Sequence, residues 1–302
     1  MKKSLFLFIA IYSIIHSYGQ SSAEFVKRGI AQYDRKDYSG AIKYFDKAIA
    51  INPKNSNAYN MRGFAKRNLH DYRGAIEDFN KTIAMTPLDA SMYDIRGQTK
   101  SDNGDYPGAM KDFDISINIK NQDFVHYDRG KCKLIVGDRQ GALADLDSAI
   151  SLNPKYSDAY NMRGSAKTFL QDTLGAINDF NEAIFLDSKN VIAYINRGGA
   201  KKDLQDFRGA MEDYNKAIEI DPQYANAYFF RGIEKDELHD YRGAINDYSK
   251  SIEIIPEHEE AYYRRGLAKI KIGQKDSGCL DLSKAGELGY SDAYNQIRNF
   301  CN

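Results

Sequence analysis

The sequence predicts an all-α protein built from a repeated helical hairpin, and two observations carry this prediction. The dipeptide Arg-Gly occurs eight times in phase, first at residues 28–29 and last at residues 265–266, with steps of 34 residues except for one step of 33. A second glycine follows eleven residues later in seven of the eight copies, and the eighth copy has Ser277 there. Self-similarity at a fixed period of about 20 to 50 residues is the signature of repeat architectures.

One copy, residues 56–89, explains the pattern in terms of helices. AYNMRGFAKRNL predicts a first helix, HDYRG a short turn, and AIEDFNKTIAM a second helix. In the second helix Ala75, Phe79 and Ile83 recur at helical spacing and form one apolar stripe. The helix is expected to end before Pro87, because the residue that precedes a proline is pushed out of the α region.

The copies resemble the tetratricopeptide repeat (TPR) family. In residues 56–89 the residues that carry the resemblance are Tyr59, Gly63, Asp71, Tyr72, Ala75, Phe79 and Pro87. The resemblance covers about residues 22–292. It implies a right-handed superhelical solenoid of about eight helix-turn-helix units, and the sequence after the eighth unit predicts a C-terminal capping helix that would shelter the last apolar face.

The predicted organisation follows the repeat. The units are TPR 1 at residues 22–55, TPR 2 at 56–89, TPR 3 at 90–122, TPR 4 at 123–156, TPR 5 at 157–190, TPR 6 at 191–224, TPR 7 at 225–258 and TPR 8 at 259–292, with the capping helix at 292–302.

The N-terminus predicts a secretory signal peptide, residues 1–19. Lys2 and Lys3 precede an apolar run at residues 5–15, which is shorter than the about 20 residues that a membrane-spanning helix needs. Small residues then place the cleavage site after Gly19. The alternative is an uncleaved anchor. We expect an exported chain, periplasmic or secreted, with no transmembrane anchor after cleavage.

Charge and cysteine content limit the functions. Lysine plus arginine equals aspartate plus glutamate at 42 each, so the net charge gives no general attraction for nucleic acid. Cys132, Cys279 and Cys301 are too few for a disulfide framework or a paired zinc site. Cys279 and Cys301 would be able to pair if the last helix folds back on its neighbour, a distance that the sequence leaves open.

An internal ladder of ion pairs is predicted where the TPR consensus has leucine. All eight units carry arginine at position 7, and seven carry aspartate at position 23 of the facing helix, while the first unit has Tyr44 there. Bidentate pairing would satisfy an arginine beside the close-packed glycine. The alternative is a row of arginines that binds phosphate groups. It is disfavoured because almost every arginine has an aspartate at the matching position of the facing helix. The predicted ladder comprises Arg62, Arg96, Arg129, Arg163, Arg197, Arg231 and Arg265 with Asp78, Asp112, Asp145, Asp179, Asp213, Asp247 and Asp281, and Arg28 is the unmatched arginine.

No catalytic or metal chemistry is predicted. The segment that begins at His258 misses the zinc-protease pattern, because Tyr262 stands where the second histidine must be. Residues 102–105 resemble a fragment of a calcium loop but lack the closing glutamate. The sequence predicts no cofactor, and the chain is expected not to be an enzyme.

The predicted partner site is the inner groove, which first helices line in the TPR family. Exposed apolar residues in a groove usually mark a binding surface. The alternative is that these side chains pack against neighbouring helices and complete the core. The candidate groove residues are Phe124, Tyr127, Leu134, Ile195, Phe229, Ile233, Tyr263 and Leu267.

These expectations together predict a non-catalytic scaffold. It would bind a peptide or helix of a protein partner in its concave groove, in the cell envelope. The alternative is an accessory or regulatory subunit of an envelope enzyme or sensor, whose chemistry resides in the partner.

Overall fold

The structure is a computed structural model that describes residues 21–301. Every regular element in this range is an α-helix, which confirms the predicted all-α class. The predicted signal peptide, residues 1–19, lies outside the described residues. Within the described range, no helix is both long enough and apolar enough to cross a bilayer.

The described helices form two compact units, divided after Leu152. In the first unit, helices pack in consecutive pairs, and each pair also contacts the next. Its helices are α1 (Ser22–Asp34), α2 (Tyr38–Ile51), α3 (Ser56–Asn68), α4 (Tyr72–Met85), α5 (Ala90–Asp102), α6 (Tyr106–Ile119), α7 (Asp123–Ile135) and α8 (Arg139–Leu152).

The second unit repeats the same pairing and adds one short helix at its end. Its helices are α9 (Ser157–Phe169), α10 (Thr173–Leu186), α11 (Val191–Asp203), α12 (Phe207–Ile220), α13 (Ala225–Glu237), α14 (Tyr241–Ile254), α15 (Glu259–Lys271), α16 (Lys275–Glu287) and α17 (Asp292–Phe300).

A three-residue turn closes each hairpin, and the second glycine of the repeat lies just after it, in the first turn of the second helix. In the second repeat, His70 has a φ of 61° and Asp71 accepts a hydrogen bond from the backbone N–H of Gly74 at 3.0 Å, which caps α4. A Cβ atom at Gly74 would collide with the Asp71 carboxylate. Glycine at this position therefore lets the capping aspartate fold back over the first turn of the helix.

The first glycine of the repeat lets the two helices of a hairpin approach closely. A Cβ atom at Gly63 would lie 2.6 Å from Cε1 of Phe79, the buried aromatic residue of the facing helix. Ala75, one turn before Phe79, is fully buried. A small residue on the first helix is therefore required opposite the aromatic residue of the second helix, because a close-packed interior leaves no space for an extra methyl group.

A disulfide ties the last helix to the hairpin before it. Cys279 on α16 and Cys301 just after α17 form a disulfide with a Cα–Cα distance of 5.8 Å. Ala293 of α17 is fully buried, and Tyr294 lies over Gly286. The pairing that the sequence left open is therefore present, and α17 covers part of the last hairpin.

Removal of the disulfide is expected to loosen α17. Closing a 22-residue loop stabilises a fold by about 3 kcal/mol in the chain-entropy model. In Cys301→Ser we expect faster backbone hydrogen exchange in α17, while the earlier hairpins stay protected. Reductant should loosen the wild type in the same way and have no further effect on Cys301→Ser. Equal exchange in the oxidised wild type and the variant would contradict a stabilising role.

Candidate functional site

The aspartate at position 23 lies between an arginine and a lysine of the facing helix. In the sixth repeat, Oδ2 of Asp213 accepts hydrogen bonds from Nε of Arg197 at 3.0 Å and from Nζ of Lys201 at 2.9 Å. Oδ1 accepts from Nη2 of Arg197 at 2.6 Å. Asp213 is 3% exposed, so these three donors compensate for the loss of water around a buried carboxylate.

The same cluster recurs in seven repeats, from the second to the eighth. The Nε–Oδ2 distances lie between 2.8 and 3.0 Å, the Nη2–Oδ1 distances between 2.5 and 2.7 Å, and the lysine Nζ–Oδ2 distances between 2.7 and 2.9 Å. The lysines are Lys66, Lys100, Lys133, Lys167, Lys201, Lys235 and Lys269.

The arginine also connects one repeat to the repeat before it. Nη1 of Arg62 donates to Oδ1 of Asp46 at 2.5 Å, and Nη1 of Arg231 donates to Oδ1 of Asn215 at 2.8 Å. The ring of Tyr228, one turn earlier on α13, lies 5.6 Å from the guanidinium carbon of Arg231. Since the donors and one face of the guanidinium are engaged within the chain, little of the group is left to bind a phosphate.

The electrostatics of the cluster follow from its hydrogen bonds. Burial alone would raise the pKa of Asp145, but the hydrogen bonds from Arg129 and Lys133 outweigh it, and the pKa of Asp145 lies below its ordinary value. Hydrogen bonding to Asp78 is the main cause that raises the pKa of Arg62 above its ordinary value. Arg62 and Asp145 therefore stay charged at neutral pH.

The first repeat lacks the cluster. Tyr44 stands at the aspartate position and Gln32 at the lysine position. Arg28 instead pairs with Glu24 one turn earlier on α1, with 3.1 Å between Nε and Oε1. Both side chains are about 40% exposed, so this is a surface ion pair of small energetic value.

Three of the predicted groove residues are buried rather than exposed. Ile195 is 8% exposed, Phe229 5% and Ile233 8%. Ile195 packs in the same cluster as Tyr214, and Phe229 and Ile233 pack with Tyr248. This corrects the expectation of an exposed position for these three: their side chains pack in clusters with the aromatic residue on the second helix of the same hairpin.

The other predicted groove residues are half-buried. Phe124 packs against the buried core around α6 and α7. The ring of Tyr263 lies 4.6 Å from that of Tyr290, the residue before the last helix. Tyr127, Leu134 and Leu267 are also half-buried. A binding role for these five residues stays a prediction.

A cleft of about 370 Å³ opens within the second compact unit. The rings of Phe180, Tyr214 and Phe230 line it, and the Tyr214 and Phe230 rings stack with centroids 6.1 Å apart. Gly199 and Glu234 also line the cleft. This volume lies near the lower end of the range for ligand sites, about 300 to 1,000 Å³.

A pair of acids, the buried Asp94 and the half-buried Asp128, lies in the first unit. Nε2 of Gln98 donates to Oδ2 of Asp94 at 3.2 Å and to Oδ2 of Asp128 at 3.0 Å. Burial, with a further contribution from the Asp128 charge, raises the pKa of Asp94 to about 7, although Gln98 and Arg67 act in the opposite direction. Burial also raises the pKa of Asp128.

Comparisons with known proteins agree with the repeat pattern. Models described as tetratricopeptide repeat match residues 23–55 and 44–77, and a model described as TPR repeat matches residues 200–233. These matches and the paired helices decide the family. The chain is a tetratricopeptide repeat protein. A search of curated protein sequences found no significant match.

Three solved structures resemble this TPR chain in fold. A tetratricopeptide repeat protein from Parabacteroides merdae is 19% identical with a TM-score of 0.58, covering 94% of this chain and 100% of that one. A chain of the APC/C hetero-tetramer Cut9-Hcn1 is 14% identical with a TM-score of 0.64, covering 89% of this chain and 54% of that one. MamA from Desulfovibrio magneticus is 18% identical with a TM-score of 0.50, covering 56% and 96%. At these identities the likeness shows the fold alone.

Sequence reasoning missed two features of this TPR chain. The lysine of the cluster recurs at the same 34-residue step as the arginine and is absent only where the aspartate is absent, so the repeat itself carried the signal. The cleft depends on Gly199 and Glu234, each of which departs from the other repeats at its position. Among residues 21–301, no group of three or more histidine, cysteine or acidic side chains is placed to hold a metal ion.

Removal of one ladder aspartate is expected to destabilise the fold. Asp213→Ala leaves Arg197 and Lys201 partly buried without their carboxylate, and we expect the free energy of unfolding to fall by about 3 to 5 kcal/mol. Urea denaturation measures the loss, and hydrogen exchange should locate it in α11 and α12. Asn215→Ala, which removes one acceptor from the same helix, should cost about 1 kcal/mol. Equal midpoints for Asp213→Ala and the wild type would contradict the structural role.

The stability of the first unit is expected to depend on the ionisation of Asp94. Folding raises its pKa, so its contribution to stability is complete below the ordinary pKa near 4 and is lost as the pH rises to about 7. Asp94→Asn should therefore stabilise the fold more at pH 8 than at pH 5, by on the order of 1 to 2 kcal/mol. Urea denaturation at both pH values measures this. Glu77→Gln, on the exposed face of α4, should show no such difference, and an equal effect of Asp94→Asn at both pH values would refute the assignment.

Proposed function

We propose that this TPR protein is a non-catalytic scaffold that binds a peptide or helix of another protein on the face formed by its first helices. The TPR fold supports a protein-interaction role. The observation that carries the proposal furthest is the aromatic-lined cleft of the second unit, since large side chains buried in pockets usually dominate the energy of protein interfaces.

In the repeats that carry the ladder, some positions of the first helix stabilise the hairpin, and other positions of the same helix can contact a partner. Positions 7 and 11 of each first helix are committed to the buried aspartate of the facing helix. The same first helices also present residues that vary between repeats, such as Lys202 at the rim of the cleft and Leu267 in the eighth repeat. Variation at these positions lets successive repeats offer different chemistry to a partner while the hairpins stay the same.

An extracytoplasmic compartment is part of the proposal. The Cys279–Cys301 disulfide supports it, because structural disulfides persist in oxidising compartments and are rare in the reducing cytosol. The basic and apolar N-terminal sequence agrees with export.

Site-specific photo-crosslinking in the native host tests the proposal. A photoreactive amino acid is placed in turn at Lys202 and Leu267 on first helices, and at Leu174 and Phe185, which are highly exposed on α10. We expect the first pair of positions to crosslink to one defined segment of a partner in the envelope fraction, and the α10 pair to give no such product.

The crosslinked segment is then synthesised as a peptide and added to the purified chain. Direct binding, with competition at the Lys202 and Leu267 positions, is the expected result. Crosslinks only from Leu174 and Phe185 would place the interaction on another surface, and complexes recovered only from the cytosol would refute the compartment. An enzymatic activity of the purified chain alone would refute the non-catalytic role.

A further inference from the structure

Glu234 is a buried acid at a repeat position where every other repeat has a small side chain. It lies on α13, is 1% exposed and lines the cleft of the second unit. A carboxylate in place of alanine at a buried position is costly unless it is fully hydrogen-bonded. The residues at the equivalent position are Ala31, Ala65, Thr99, Cys132, Ala166, Ala200 and Ala268.

The preceding repeat departs from the pattern in a complementary way. Gly199 on α11 lines the same cleft, and a Cβ atom at this position would have no neighbour within 4 Å. The glycine is therefore not needed for helix packing, and its effect is to leave space. The residues at the equivalent position are Ile30, Phe64, Gln98, Lys131, Ser165, Ile233 and Leu267.

The carboxylate of Glu234 is only partly compensated. Oε1 lies 3.7 Å from Nζ of Lys202, and Oε2, which is buried, has no hydrogen-bond partner among the described residues. Burial raises the pKa of Glu234, and the nearby Glu237 charge adds to the effect while Lys202 opposes it. Asp203 also lines the cleft, so its charged side chains are two acids and one lysine.

The ladder indicates which kind of group would complete the hydrogen bonding of the Glu234 carboxylate. Each ladder aspartate accepts hydrogen bonds from two cations, the arginine and the lysine of the facing helix, as Asp213 does from Arg197 and Lys201. Glu234 has only the lysine. A second cation from outside the chain would therefore give Glu234 the set of donors that the chain provides for its other buried carboxylates.

The walls of the cleft suit the stem of such a side chain. Phe230, which is half-buried, presents aromatic surface to the cleft that Glu234 also lines, and the almost fully buried rings of Phe180 and Tyr214 complete its apolar wall. The alkyl stems of lysine and arginine pack against apolar surface while the charged head stays polar, and aromatic faces attract the cation itself.

We infer that this cleft takes the side chain of one lysine or arginine from an extended peptide segment of a partner protein, with the cation at the Glu234 carboxylate and the stem against Phe230. The inference rests on the proposed function, because it names the side chain that the scaffold recognises. Gly199 provides the entrance, and Glu234 discriminates a basic side chain from an apolar one of the same length.

The test selects peptides from a phage-displayed library of random dodecapeptides on the full chain. Selected peptides are then synthesised with each basic residue replaced in turn by norleucine, which keeps the alkyl stem and removes the cation. We expect one such replacement to weaken binding at least tenfold, as measured by fluorescence anisotropy. Against Glu234→Gln the basic and norleucine peptides should bind within about twofold of each other.

Two further variants complete the design. Gly199→Leu, which fills the entrance, should weaken the basic peptide at least tenfold, whereas Glu237→Gln, an exposed residue near Glu234, should bind it as the wild type does. Circular dichroism checks that each variant is folded, and the norleucine comparison on the wild type needs no variant at all.

Selected peptides without a basic residue, or norleucine peptides that bind the wild type as well as the basic ones, would overturn this inference. The proposed function would stand in that case, since peptides would still bind. A partner segment crosslinked at Lys202 that contains neither lysine nor arginine would also overturn it. If the crosslinking from the first helices fails as well, both proposals fall.

Discussion

A buried carboxylate held by two cations is the interaction on which each hairpin depends. In seven repeats an aspartate of the second helix is nearly inaccessible to solvent and accepts hydrogen bonds from an arginine and a lysine of the first helix. Such a cluster is costly to desolvate and stabilises the fold only when all its groups are paired. It therefore fixes the register of the two helices, because a shift of either helix would leave charges buried without partners.

The same arginine extends the constraint from one repeat to the next. Its third nitrogen donates to a polar side chain of the preceding repeat, as Arg62 does to Asp46 and Arg231 does to Asn215. Stability in repeat proteins is approximately a sum of terms within repeats and between nearest neighbours. This one side chain contributes to both kinds of term, and among the described repeats the first is the one in which the cluster is missing.

The periodic part of the structure is the part that the sequence could predict. Arg-Gly at a fixed step, the alternation of small and aromatic residues, and the matched arginine and aspartate positions are each repeated, and repetition separates a signal from chance. The all-α class, the paired helices and the tetratricopeptide family followed from it. The burial of Ile195, Phe229 and Ile233 did not, because it depends on how their side chains pack against the aromatic residue of the facing helix, a detail of three-dimensional packing that the periodic pattern does not give.

The repeat pattern did not predict the cleft, because the residues that distinguish the cleft are not repeated. Gly199 and Glu234 occur once each at their positions and lie 35 residues apart, so only their arrangement in space reveals that they meet. Departures from an internal pattern are expected where function requires a local cost in stability. A double-mutant cycle of Arg231 and Asp247, each changed to alanine and unfolded in urea, tests the central claim most directly. We predict a coupling energy of about 2 to 3 kcal/mol, and additivity within about 0.5 kcal/mol would contradict the account.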